Sequence, residues 1–98
     1  PPVLHPVIRT HPETGCRSIF TNNFFTSHID GVEDAESQYL LGELAEAIRD
    51  PDVQFRVQWE PETFVMWDNR CVHHVATDDF LPLYRRMERV TIAGDRPY

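Results

Sequence analysis

Residues 53–67 read Val53-Gln54-Phe55-Arg56-Val57-Gln58-Trp59-Glu60-Pro61-Glu62-Thr63-Phe64-Val65-Met66-Trp67. From Val53 to Trp59 apolar and polar side chains alternate without a break, the period-2 pattern of a strand with one buried face. Glu60-Pro61-Glu62 is a turn by composition. Thr63 to Trp67 is apolar on both parities, as in a strand covered on both sides. The two segments are expected to pair as a hairpin. Beyond them, Asp68-Asn69-Arg70 reads as another turn, and Met87 to Ala93 as a further strand that stops at Gly94-Asp95-Arg96-Pro97.

Toward the N-terminus the period changes. Leu40, Leu41, Leu44, Ala45 and Ile48 recur at three- and four-residue steps, acidic residues crowd the first turn, and Asp50-Pro51 ends the pattern, so a helix is expected from Asp34 to Asp50. Glu36, Glu43, Glu46 and Arg49 form its solvated face. Residues 1–16 carry Pro1, Pro2, Pro6 and Pro12 and read as an extended lead-in, with a turn over His11-Pro12-Glu13-Thr14-Gly15 before a short strand at Ser18-Ile19-Phe20. The expected fold is mostly β with one main helix, an open jelly roll or part of one.

Composition narrows the function. A chain of 98 residues, 41% hydrophobic and 11% aromatic, suits one folded domain with a modest core. Sixteen acids against nine bases give a net charge of −7, which opposes generic binding to a phosphate backbone, so nucleic acid is not expected as a partner. No apolar run is long enough to span a bilayer, and the first residues lack the basic and apolar regions of a secretory signal. Cys16 and Cys71 show no metal-type spacing and are too few for a disulfide scaffold, which fits a reducing cytoplasm. The charge is uneven: residues 30–62 hold ten acids with only Arg49 and Arg56, whereas Arg85, Arg86, Arg89 and Arg96 collect near the C-terminus.

That C-terminal charge is where chemistry is expected. On a strand, Arg85, Met87, Arg89 and Thr91 share one side, and Glu88, Val90 and Ile92 the other. Two guanidinium groups would then point the same way, roughly 13 Å apart along the strand. Like charges directed into a barrel are costly unless anions meet them. They are either bidentate clamps for carboxylate or sulfonate groups, or ion pairs with local acids such as Asp78, Asp79 or Glu88. His73-His74 lies upstream; each imidazole is a metal ligand or an ordinary packed or surface residue.

Taken together, Trp67-Asp68-Asn69-Arg70-Cys71-Val72-His73-His74-Val75-Ala76, the arginine eleven residues after His74, and Gly94-Asp95-Arg96-Pro97 resemble the C-terminal end of the taurine dioxygenase (TauD/TfdA) family. The resemblance extends over His5-Pro6-Val7-Ile8-Arg9-Thr10-His11-Pro12-Glu13-Thr14-Gly15, over Ser18 to Thr26, and through the helix. It implies an Fe(II)- and 2-oxoglutarate-dependent dioxygenase built on a double-stranded β-helix, or jelly-roll, barrel. It makes His74 the distal histidine of a 2-His-1-carboxylate iron site, with His73 in a non-ligand position. Arg85 matches the arginine that binds the distal carboxylate of 2-oxoglutarate, and Arg89 the one that grips the anionic group of a small substrate. Phe25 matches an aromatic lining the substrate pocket, and Trp67 lies close to the iron site. The chemistry implied is oxidative decarboxylation of 2-oxoglutarate by O2, coupled to hydroxylation of the substrate.

The family's first two iron ligands, in an H-x-D motif, lie upstream of the Pro-rich segment and have no counterpart in residues 1–98. His28-Ile29-Asp30 imitates that motif but falls in the variable loop before the helix, where it reads as a turn. The expectation is therefore that residues 1–98 are the C-terminal portion of one dioxygenase domain, inactive alone, and associating with themselves or with the missing half through uncovered strand edges. The competing expectation is a non-catalytic partial barrel that binds small anions or a partner chain.

Overall fold

The computed structural model describes residues 2–98. Two short strands, β1 (Ile8–Thr10) and β2 (Arg17–Ile19), are followed by one helix, α1 (Asp34–Arg49), and a single 3-10 turn at Pro51–Val53. β1 and β2 pair antiparallel, with Ile8 opposite Ile19 and Thr10 opposite Arg17. The pairing continues past both strands: the Phe20 amide donates to the Val7 carbonyl at 2.8 Å, and the His11 amide to the Cys16 carbonyl at 2.8 Å. In the connecting loop the Gly15 amide donates to the His11 carbonyl and Gly15 sits at φ +70, a backbone conformation that glycine adopts without a Cβ penalty. The expected turn is present. What was read as lead-in is the first strand of a hairpin, because its proline, Pro12, falls in the loop and not in the ladder.

The outer edge of β1 takes up the C-terminus. The Thr10 amide donates to the Tyr98 carbonyl at 2.9 Å, and the Arg9 guanidinium donates to Asp95 at 2.9 Å. Arg9 is buried and lies over the Phe20 ring, 5.1 Å from its centroid.

Helix α1 forms where its pattern predicts. The Glu33 side chain caps it by accepting from the Glu36 amide, Asp34 and Glu36 lie in the first turn, and Arg49 lies in the last. Of the expected apolar stripe, Ala45 is buried, Leu41, Leu44 and Ile48 are half-buried, and Leu40 is exposed. Ser37 is fully buried, its hydroxyl accepting from the Ile29 amide at 2.7 Å, which ties residues 29–32 to the helix. Between α1 and residues 21–26 there is a small cleft of about 320 Å³.

The expected strands after the helix do not form. Among the described residues, 53–59, 63–67 and 87–93 carry no ladder, and the hairpin of 53–67 is reduced to its turn, with the Thr63 amide donating to the Glu60 carbonyl. The apolar side chains that alternation would bury stand in solvent: Phe55 is 87% exposed, Phe64 85%, Val90 92% and Ile92 87%. A strand needs backbone partners and a covered face. These segments have neither within residues 2–98, so the alternation records a face that is not filled here. The structure is thus a small mixed α and β arrangement with a two-stranded sheet, and no barrel is seen among the described residues. The Cα radius of gyration, 16.0 Å, exceeds the ~13 Å of a compact domain of this length. Cys16 and Cys71 are free and exposed. No helix among the described residues is long and apolar enough to cross a membrane.

Ala45 is the one hydrophobic residue that is buried among the described residues, too little to offset the ordering entropy of the chain. We predict that the 98 residues alone show no cooperative calorimetric transition, bind an apolar dye, and sediment with concentration-dependent mass. A sharp, reversible, monomeric melt would contradict this expectation.

Candidate active site

The site is built by one turn held against the hairpin. Asp68 closes the turn with its backbone, its carbonyl accepting from the Cys71 and Val72 amides at 3.2 and 3.1 Å. Its carboxylate accepts from Arg70 Nε at 2.9 and 3.1 Å, from Arg70 Nη2 at 2.7 Å, and from the Arg70 amide at 2.9 Å. Arg70 turns its remaining edge to Glu13, 2.9 Å away in the hairpin loop. The other oxygen partner of Asp68 is buried His11, whose Nε2 lies 3.1 Å from Oδ2 across 57 positions of sequence. His11 Nδ1 accepts from the Glu13 and Thr14 amides at 3.3 and 3.2 Å. With Nδ1 occupied as an acceptor, the hydrogen-bond pattern assigns the ring proton to Nε2, which donates to Asp68.

The donors around Asp68 stabilise its charged form. The Arg70 side chain, then the Arg70 amide and His11, hold its carboxyl well below the ordinary carboxylate range. Reciprocally, Asp68 and then Glu13 raise Arg70 above the usual guanidinium value. Two further contacts dock the chain beyond the turn onto β2. Ser18 donates to the Arg70 carbonyl at 3.5 Å, and His73 Nε2 lies 3.2 Å from the Ile19 carbonyl, to which it donates.

Immediately past that last contact comes His74. Its ring packs on Trp67, with centroids 4.9 Å apart and planes tilted by 48°, and Trp67 is steadied by its Nε1 donating to Asn69 at 2.8 Å. His74 is exposed and neither ring nitrogen has a hydrogen-bond partner among the described residues. It lines a hollow of about 660 Å³ together with Phe20, Phe25, His28, Val72 and His73. Phe25 is presented there by a turn in which the Asn22 side chain accepts from the Phe24 amide, while the Thr26 hydroxyl accepts from the Asn22 amide. Of the expected site residues, Phe25 and His74 thus line one hollow, and Trp67, which does not line it, meets the His74 ring.

Arg85 and Arg89 do not line that hollow. Arg85 is half-buried with its guanidinium 5.2 Å from the Phe80 ring centroid. Neither arginine has an acidic partner among the described residues: Glu88 pairs with Arg86 at 2.7 Å, and Asp79 accepts from Thr77. The local ion pairs that would have explained both arginines are absent. Their placement on one side of a strand is not realised, because residues 85–93 form no ladder.

One trio, His11, Asp68 and Cys71, has ligand-type atoms within 4.8 Å of one another. It is poorly suited to a metal. A ligating imidazole presents an unprotonated nitrogen, whereas His11 turns its lone pair to two backbone amides and its N–H to Asp68, whose oxygens already serve Arg70. His28, Asp30 and His74 do not form such a cluster among the described residues. His11 carries no signal of this contact in the sequence. Its neighbours Pro12 to Gly15 signal a turn, but nothing local signals a carboxylate 57 positions away.

The sequence profile described as "Taurine catabolism dioxygenase TauD, TfdA family" matches residues 1–91. Among curated proteins, the chain is 37% identical over 93% of its length to an alkylsulfatase of Acinetobacter baylyi, covering 28% of that protein. It is 40% identical over 98% of its length to an alpha-ketoglutarate-dependent 2,4-dichlorophenoxyacetate dioxygenase of a Burkholderia species, covering 32% of it. With an alpha-ketoglutarate-dependent sulfonate dioxygenase of Saccharomyces cerevisiae the identity is 35% over 96% of the chain and 23% of the relative. The chain thus spans about a quarter to a third of the length of these relatives.

The lowered proton affinity of Asp68 has a defined pH signature. Its contribution to stability is present above the unfolded-state value of ~3.9 and is lost only as pH falls through the much lower folded value. We predict that the Asp68 carboxyl carbon resonance keeps its ionised position as pH falls through ~3.9, where an unperturbed aspartate is half protonated. A midpoint for Asp68 in that ordinary range would show the fork to be absent in solution.

Proposed function

The chain belongs to the TauD/TfdA family of taurine catabolism dioxygenases, and on that premise we propose that it supplies the co-substrate and substrate clamps and one iron ligand of a longer 2-oxoglutarate-dependent dioxygenase. The observation that carries this reading is the pair of arginines without acidic partners. Arg86 beside them is paired with Glu88, whereas Arg85 and Arg89, like exposed Arg17, Arg56 and Arg96, pair with no acid among the described residues, and of these Arg85 alone is half-buried against an aromatic ring. An arginine fork holds a carboxylate or sulfonate through two parallel hydrogen bonds, which fixes orientation as well as affinity. In this reading Arg85 holds the distal carboxylate of 2-oxoglutarate and Arg89 the anionic group of the prime substrate.

His74 is suited to its role by the two free nitrogens of its ring and by its place on the wall of the hollow. It holds one position on Fe(II); the other two ligands belong to the H-x-D motif expected outside residues 1–98. When bound, the iron supplies oxidation by O2 coupled to decarboxylation of 2-oxoglutarate. The protein's own residues bind, orient and shield: Trp67 backs the His74 ring, and Phe25 adds an apolar wall that excludes water from the reacting centre. The relatives' names speak of a sulfonate, an alkyl sulfate and a phenoxyacetate. Their shared chemistry is a small organic anion, the class Arg89 would accept. The uncovered apolar segments 53–59, 63–67 and 87–93 are, in the same reading, barrel strands whose partners lie in the rest of the dioxygenase, in the cytoplasm.

The test uses the longer dioxygenase containing these residues, titrated anaerobically with Fe(II) and 2-oxoglutarate while the visible charge-transfer band of the chelate is followed. We predict that His74→Ala abolishes the band. Arg85→Leu should weaken 2-oxoglutarate on the order of 10- to 100-fold, as loss of a charge-assisted hydrogen-bonded partner does. Arg89→Leu should raise KM for the anionic substrate by a similar factor and leave 2-oxoglutarate affinity unchanged. The 98-residue chain alone should give no band; a band lost in both His28→Ala and His74→Ala would instead make it a complete small iron site.

A further inference from the structure

We infer that Asp68 is a positioning residue for His74: by clamping the 68–72 turn onto the hairpin, it sets where the imidazole stands. This rests on the dioxygenase reading above and adds a residue that touches neither iron nor substrate. The segment from Trp67 to His74 is fastened at two points. At its start, Asp68 is gripped by the Arg70 fork and by His11 Nε2–H; near its end, His73 donates to the Ile19 carbonyl of β2. Outside the two fastenings stand Trp67 and His74, and their rings meet at 4.9 Å. The turn between them is closed by the Asp68 carbonyl, which accepts from Cys71 and Val72. One residue thus supplies both the backbone acceptor that brings the ends together and the carboxylate that fixes the turn to a second element.

The anchoring partners are suited to this work. Arg70 spans from Asp68 to Glu13, so the same guanidinium bridges the turn and the hairpin loop. His11 is held in one tautomer by the Glu13 and Thr14 amides and offers a directed donor in place of a freely rotating one. An amide at position 68 would keep the shape and lose half of this. Its oxygen could still accept from Arg70, but its NH2 would then face the Nε2–H of His11, donor against donor.

The experiment is the anaerobic Fe(II) titration of the longer dioxygenase at saturating 2-oxoglutarate, run well below the thermal midpoint of each protein, for wild type, Asp68→Asn, Arg70→Lys and Glu13→Gln. Asp68→Asn should bind Fe(II) about 10- to 100-fold more weakly, the cost of losing an outer partner that orients a metal ligand. Arg70→Lys, which keeps the charge but not the fork, should fall in between and serves as the gentler variant if Asp68→Asn does not fold. Glu13→Gln should stay within about threefold of wild type, because it breaks only an ion pair with an exposed carboxylate. Wild-type Fe(II) affinity in both Asp68→Asn and Arg70→Lys, with only the thermal midpoints lowered, would overturn the positioning role and reduce Asp68 to a fold residue. A wild-type protein that forms no Fe(II) and 2-oxoglutarate chelate would overturn the dioxygenase reading itself, a separate result.

Discussion

The Asp68 carboxylate is the point on which the rest of the arrangement depends, because it holds Arg70 within its own turn and meets His11 of the hairpin, while the same Arg70 reaches Glu13 in the hairpin loop. Without it, the hairpin of residues 8–19 and the segment carrying His74 would share only the Ser18 contact to the Arg70 carbonyl, the His73 contact to Ile19 and the Glu13 ion pair. The carboxylate is half-exposed, so the Coulomb attraction to Arg70 is partly screened by water. What distinguishes it from an ordinary surface ion pair is geometry. A planar fork, a backbone amide and an imidazole N–H converge on two oxygens, and each partner is independently held. Such convergence lowers the carboxyl's proton affinity and orders the turn in the same stroke.

The hairpin is a fit platform for this because its own ends are pinned. Its loop is closed by Gly15 at positive φ, and its outer edge is covered by the C-terminal carbonyl of Tyr98 and by the Arg9 pair with Asp95. Arg9 is buried with its Nε unpartnered, a cost of order 1–3 kcal/mol for a buried polar group. The Phe20 ring beneath the guanidinium and the Asp95 pair offset part of that cost. The charged residues near the C-terminus therefore divide by role. Asp95 pairs with Arg9 of the hairpin, Arg86 and Glu88 satisfy each other on the surface, and Arg85, Arg89 and Arg96 have no acidic partner among the described residues.

How much of this could be read from the chain follows from the range of each interaction. Helix α1 was legible to within a residue, since its apolar stripe, acidic first turn and Asp50-Pro51 stop are all local. The His11 to Gly15 turn was legible for the same reason. The strands at 53–59, 63–67 and 87–93 were legible only as patterns: alternation states which side chains want cover, and the backbone partners that would make a ladder are not among residues 2–98. β1 was misjudged because Pro6 and Pro12 bracket it, although neither falls inside its three residues. Of the site, the family motif placed Trp67 and His74 in one neighbourhood, and the rings do meet. The His11 contact to Asp68 was invisible, since no periodicity links positions 57 apart.

Of the arginines without an acidic partner among the described residues, Arg85 carries the remaining argument about recognition. An arginine in water needs no partner, but the Arg85 guanidinium is half-buried and rests on an aromatic face, where its hydration is reduced and a planar anion gains more than it would at an open surface. The acids closest in sequence are already engaged or held apart: Asp79 by Thr77, Glu88 by Arg86. On the dioxygenase reading proposed above, that is the setting in which Arg85 would hold a compact carboxylate through two parallel hydrogen bonds.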